Sequence, residues 1–234
     1  MTGNILRKNR NIDIVFCIDG TGSMGKCIES VKSNAIRFHS EFVAAMTMRN
    51  SDIDSMRIKV IVFRDYKGDG DQSMVESIFY ELPTDNAEFS DFMAGVTACG
   101  GGDAPENGLE AIHLAINSDF TTGPDDRQVI VVFTDADALP LLDPERTSNP
   151  IYPSDMVNFD DLQKEWMCAV QNSGFKLRER CKRMVIFAPD GTVYKDLSTK
   201  LNRSIFEPVD MNAGLKDIDF SEIINIIAAS ASGV

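Results

Sequence analysis

The sequence predicts an α/β protein built on a doubly wound, mostly parallel six-stranded sheet flanked by helices. Three observations carry this prediction. Apolar runs long enough for buried strands recur along the 234 residues. Stretches with apolar residues at helical spacing separate them, as crossover connections between parallel strands require. Acidic residues stand at the ends of several apolar runs, where open α/β sheets bind their ligands.

The strands fall at Asp13 to Asp19, Arg57 to Arg64, Val75 to Leu82, Gln128 to Asp135, Arg183 to Pro189 and Ser204 to Val209. Between the first two, Gly25 to Thr47 places Ile28, Val31, Ala35, Phe38, Phe42, Val43 and Met46 on one helical face. Asn86 to Val96 reads as a short helix. Pro105 to Ile116 follows as another, with proline suited to its first turn and Leu109, Ile112 and Ile116 on its apolar face. His113 falls beside that face as an ordinary surface or packing residue. Phe159 to Arg180 reads as a longer helix and Ile218 to Ala231 as a terminal apolar one. The stretch from Asp137 to Asn158 holds Pro140, Pro144, Pro150 and Pro153 and no period, so it predicts a long loop leaving a strand's carboxyl end. Loops in that position usually shape a site.

Composition sets the outer bounds. With 43% hydrophobic residues the chain can bury one α/β core, so residues 1–234 are expected to form a single domain with its core at about 13–231. No secretory leader pattern opens the chain and no run of roughly eighteen apolar residues occurs, so a soluble, cytoplasmic protein is expected. Five cysteines, never spaced as C-x-x-C, suggest buried or half-buried thiols rather than disulfides or a zinc site. A net charge of −13 makes nucleic acid and anionic membranes poor partners.

The first strand ends in Asp19-Gly20-Thr21-Gly22-Ser23, which sets a carboxylate and two hydroxyls at i, i+2 and i+4 on a strand-to-helix turn. Such oxygens suit a hard cation. Two enzymatic alternatives overlap the same residues. Gly20 to Lys26, followed by Cys27, resembles a phosphate-binding loop whose final hydroxyl is replaced by a thiol, with Asp135 available as a second metal-binding acid; this would make a P-loop-type nucleotide hydrolase. Cys17-x-Asp19-Gly20-Thr21 resembles the strand-end motif of haloacid-dehalogenase-type phosphatases, but a thiol stands where the nucleophilic carboxylate belongs.

Two distant segments join the first motif. Val129 to Asp135 is an apolar strand ending in Thr-Asp, and Gly100-Gly101-Gly102-Asp103-Ala104-Pro105 is a glycine-rich lead into a helix. Together the three resemble the metal-ion-dependent adhesion site of von Willebrand factor A domains, in which Asp-x-Ser-x-Ser follows the first strand. Asp103 stands where that family usually places threonine. The stretches Lys182 to Asp190, Asp160 to Trp166 and Phe63 to Tyr66 resemble intracellular bacterial members of the family, including those of tellurite-resistance and stress clusters.

The resemblance implies a protein-interaction module rather than an enzyme, with no catalytic residues. It implies Mg²⁺, or Mn²⁺ or Ca²⁺ in its place, held directly by Thr21 and Ser23, directly or through water by Asp19 and Asp135, with Asp103 completing the set. An open coordination position would then accept an Asp or Glu side chain of a partner protein. Arg64 and Asp65 read either as a local ion pair or as neighbours of the site. Glu106 reads either as a participant in the site or as a partner of a helix dipole at a first turn.

Overall fold

The computed structural model describes residues 10–101, 105–168, 174, 176–209 and 219–233, the side chain of Ile36 excepted. Seven strands form one sheet: β1 (Asn11–Asp19), β2 (Ser55–Phe63), β3 (Met74–Glu76), β4 (Tyr80–Leu82), β5 (Arg127–Phe133), β6 (Lys182–Pro189) and β7 (Ser204–Val209). They lie in the order β3-β2-β1-β5-β6-β7, with β4 also on β2. All pairings are parallel except those of β3 and β4 with β2, so the predicted doubly wound, mostly parallel α/β fold is what the chain adopts.

The helices are α1 (Gly25–Thr47), α2 (Asn86–Gly95), α3 (Gly108–Ile116), α4 (Pro144–Thr147), α5 (Phe159–Trp166), α6 (Val193–Lys200) and α7 (Phe220–Ser232). Strand side chains alternate between two cores because successive Cβ atoms point to opposite faces. Ile12, Ile14, Phe16 and Ile18 of β1 pack with α1, α2 and α7, whereas Val15 and Cys17 pack with α3, α5 and α6. Both faces are thereby dry, which is why β1, β5 and β6 read as near-continuous apolar runs.

Three of the expected elements need correction, and one helix was not expected. The predicted strand Val75 to Leu82 is two short strands, which raises the count from six to seven. At the break the Ser77 backbone N–H bonds Val60 O at 2.9 Å, and the Ser77 hydroxyl accepts from Val60 N at 2.9 Å while donating to Ile78 O at 2.7 Å. A side chain that bonds local backbone interrupts the ladder and breaks an edge strand in the middle. The helix predicted from Phe159 to Arg180 ends at Trp166: Cys168 adopts a left-handed φ of 53°, and Gln128 bonds Lys176 O and Arg178 N, while positions 169–173 and 175 of that prediction lie outside the described residues. Helix α3 begins at Gly108 rather than Pro105, since Glu106 forms a bridge with Ala138 instead of a first turn. Helix α6 had no counterpart in the sequence reading; its buried residues Tyr194 and Leu197 are too few to give a visible period.

The predicted long loop between β5 and α5 is present and contains one helical turn, α4, whose first amides are capped by the Asp143 side chain bonding Glu145 N at 2.8 Å. All five cysteines are free; Cys99 is exposed, against the expectation of burial, and the other four are buried or half-buried. Among the described residues no helix is long and apolar enough to cross a membrane.

Candidate metal centre

In the strand order 3-2-1-5-6-7 the chain turns one way from β1 to β2 and the other way to β5. The crevice of such a sheet opens above the carboxyl ends of the two strands at the reversal. Those ends are Asp19 of β1 and Thr134-Asp135 after β5. Ile18 pairs with Phe133, so the next residues, Asp19 and Thr134, face each other across the switch point.

One chain of hydrogen bonds ties the crevice together. Asp19 Oδ1 accepts from Thr21 N at 2.9 Å and from Thr21 Oγ1 at 2.6 Å. Thr21 Oγ1 lies 3.2 Å from Ser23 Oγ, which donates to Asp135 Oδ1 at 3.0 Å. On the inner side Thr134 Oγ1 donates to Asp19 Oδ2 at 2.8 Å. Sequence pattern alone assigns Thr134 no role; its signal is the hydroxyl preceding a strand-end acid. Asp19 is fully buried and Thr21 nearly so, while Ser23 is exposed and Asp135 half-exposed, so the set opens to solvent on one side. Burial pushes the Asp19 carboxyl above its ordinary range, hydrogen bonds from Thr21 and Thr134 oppose this, and the nearby Asp135 adds to the rise.

Thus four of the five predicted ligands, Asp19, Thr21, Ser23 and Asp135, stand together; Asp103 lies outside the described residues. Among the described residues no three His, Cys, Asp or Glu side chains converge on a possible metal position.

Close packing of glycines shapes the loop. A Cβ on Gly20 would meet Val62 Cγ1 at 2.6 Å and Arg64 Cζ at 2.7 Å. At Gly101, where φ is +69°, a Cβ would meet Thr21 Cβ at 2.7 Å, so only glycine lets this strand of chain lie over the threonine. Arg64 is a neighbour of the site rather than half of a local ion pair. Its Nε donates to Gly20 O and Cys99 O, each at 3.0 Å, and Asp65 instead takes a two-pronged bond from Arg146, with Nε and Nη2 each at 3.0 Å. Glu106 is buried two residues ahead of α3, not in its first turn.

The other readings of the loop find little in its shape. The amides of Gly20, Thr21, Met24 and Gly25 are committed internally, to Phe63 O, Asp19 Oδ1, Thr21 O and Gly22 O, and residues 22–24 already form a 3₁₀ turn running into α1. A phosphate-cradling loop needs such amides free. Cys17 is buried with its thiol donating to Ala111 O, and burial holds it far above the ordinary thiol range. His113 is buried, its Nδ1 2.9 Å from Glu165 Oε2, linking α3 to α5 as a packing residue.

The sequence pattern of the von Willebrand factor A domain matches residues 13–149, more than half of the chain, and spans both the Asp19 loop and Asp135. The chain belongs to the von Willebrand factor A domain family. Domains of this family typically mediate protein–protein contacts. Alpha-protein kinase vwkA of Dictyostelium discoideum is 24% identical over 136 residues, which are 58% of this chain and 20% of that protein. This von Willebrand factor A domain therefore spans about a fifth of that relative. Among solved structures, the pilus adhesin SpaC of Lactobacillus rhamnosus GG superposes with a TM-score of 0.53 at 10% identity, over 95% of this chain and 31% of that one. A von Willebrand factor type A protein from Catenulispora acidiphila gives 0.51 at 12% identity, over 93% and 42%. At such identities the likeness is one of fold.

Proposed function

We propose that this domain is a divalent-cation-dependent protein-interaction module of the intracellular bacterial type, acting in the cytoplasm and without catalytic activity of its own. The observation that carries the reading is the half-open donor set at the switch point. Two carboxylates and two hydroxyls from loops far apart in sequence are joined by bonds of 2.6 to 3.2 Å, buried at Asp19 and open at Ser23. These are hard oxygen donors, and their chemistry fits Mg²⁺, with Mn²⁺ or Ca²⁺ as substitutes. Thr21, Ser23, Asp19 and Asp135 would hold the cation, and Asp103 belongs to the same proposed set. When bound, the cation supplies positive charge and a free coordination position to which an Asp or Glu side chain of a partner can attach.

Each residue has a separate task in this reading. Asp19 anchors the set, with its second oxygen engaged by Thr134 and its first by Thr21. Ser23 and Asp135 form the exposed lip. Arg64 secures the loop from behind through Gly20 O. In a protein of net charge −13, an acidic partner would otherwise be repelled, so affinity should depend on the metal.

Calorimetric titration of chelator-treated protein tests the reading. Mg²⁺ should bind the wild type with a heat that disappears in Asp19→Ala and weakens in Ser23→Ala, while ATP gives none. Lys26, exposed on the first turn of α1, should be silent when changed to Ala. ATP binding lost in Lys26→Ala but retained in Asp19→Ala would replace this reading with the nucleotide-hydrolase one.

A further inference from the structure

Behind the metal loop, a cavity of about 300 Å³ opens between α2 and the β2–β3 edge of the sheet. That is room for about ten waters. Its walls are the apolar side chains of Val62, Val75, Phe92 and Val96, and Arg64 also lines it. The Arg64 side chain is almost wholly buried, yet every bond it makes goes to a backbone carbonyl: Nε to Gly20 and Cys99, Nη1 to Gln72 at 2.6 Å, and Nη2 to Thr97 at 2.7 Å. No carboxylate pairs with it among the described residues. A buried cation normally has a counter-ion, because taking its charge out of water is costly.

A guanidinium carries five N–H groups. The single Nε hydrogen is shared by two carbonyls and each terminal nitrogen uses one hydrogen, which leaves one on each of Nη1 and Nη2. Gln72 and Thr97, whose carbonyls flank those nitrogens, both line the cavity, so the terminal edge of the guanidinium borders it. One free N–H on each terminal nitrogen gives the guanidinium two donors for the oxygens of a carboxylate. The apolar walls match a hydrocarbon or aryl body.

We propose that the cavity between α2 and β3 binds a small monocarboxylate with an apolar body, its carboxylate held by the Arg64 guanidinium. The ligand lies against the back of the Gly20 loop, separated from the metal donors by Arg64 itself. Asp91 stands exposed at the mouth and selects against ligands carrying a second anionic group there. The site is independent of the proposed cation site, although both accept carboxylates, and the experiment separates them.

The probe is 4-fluorobenzoate, followed by ¹⁹F NMR in the presence of chelator so that no cation is available. Saturable binding is expected, with 4-fluorobenzyl alcohol at least about tenfold weaker because it lacks the charge that Arg64 pairs with. Gly95 lines the cavity, and a Cβ there meets nothing within 4 Å, so Gly95→Leu fills the space without strain and should weaken binding at least tenfold. Asp91→Lys, a surface change, should tighten it about two- to fivefold. Lys26→Ala, an exposed change on α1, should leave it unchanged. Absence of saturable binding with chelator present, equal affinity for the alcohol, or no response to either Gly95→Leu or Asp91→Lys would each overturn the proposal.

Discussion

At the residue scale, the crevice depends on side chains that touch the candidate ligands as much as on the ligands. Thr134 is fully buried and bonds both Asp19 Oδ2, at 2.8 Å, and Ala136 N, at 3.1 Å. Thr134→Val keeps the shape and removes both bonds, leaving a buried carboxylate short of a donor. The expected result is a loss of about 1–3 kcal/mol in urea unfolding. Mg²⁺ affinity, measured by calorimetry, should fall on the order of 10–100-fold, the usual effect of removing a group that orients a ligand. Gly20→Ala acts by crowding: the new methyl meets Val62 and Arg64 below 3 Å, and a thermal melt should show a loss of about 1–3 kcal/mol. Neither effect can be read from Asp-Gly-Thr-Gly-Ser alone. The motif names the donors, but the atoms that press on Gly20 come from β2 and the residue after it.

At the scale of elements, the long loop after β5 is held down at several points. Arg146 of α4 clamps Asp65, and Asn149 Nδ2 donates to Tyr66 O at 2.7 Å. Tyr152 Oη donates to the buried Glu110 at 3.0 Å and accepts from Leu142 N at 3.0 Å, while its ring sits edge-on to Tyr66 with centroids 4.9 Å apart. That hydroxyl supports Leu142 in a left-handed conformation, φ 61°, which leucine does not adopt freely. Tyr152→Phe should leave α1 and the sheet unaffected and speed amide exchange across residues 139–152. Unchanged exchange there would show that Arg146 and Asn149 suffice to hold the loop. The prolines and the lack of period mark a loop here. Its anchoring was not legible, because Asp65 and Arg146 are partners across a gap that only folding closes.

Whole-molecule behaviour is governed by charge and by one buried acid. With 36 acidic and 23 basic side chains, self-repulsion opposes the compact state, so added monovalent salt should raise the melting temperature. Glu110 is fully buried at the start of α3, and burial pushes its pKa from 4.5 to about 7, hydrogen bonds such as that from Tyr152 offsetting this only in part. A raised carboxyl pKa means that the fold favours the protonated form. Its stabilising contribution is therefore complete below about pH 4.5 and is lost as pH rises through about 7. Glu110→Gln, neutral at every pH, should flatten this part of the melting-temperature profile between those limits. A slope identical to the wild type would assign the dependence to other groups.

The sequence by itself determined the class of fold, because a parallel sheet covered on both faces must be written as repeated apolar runs, and β1, β2, β5, β6 and β7 were legible to within about two residues of their ends. It also determined the chemical type of the candidate donors, since Asp19, Thr21, Ser23 and Asp135 stand at the ends of those runs. Only the tertiary structure decided that β3 and β4 are separate, that the helix from Phe159 stops at Trp166, and that α6 exists. Each depends on hydrogen bonds from distant residues or on a burial pattern too short to show a period. It alone placed Thr134 against Asp19 and Arg64 behind Gly20. Periodicity records which face of an element is dry, whereas contacts between loops are set by strand order and packing, and no local pattern encodes them.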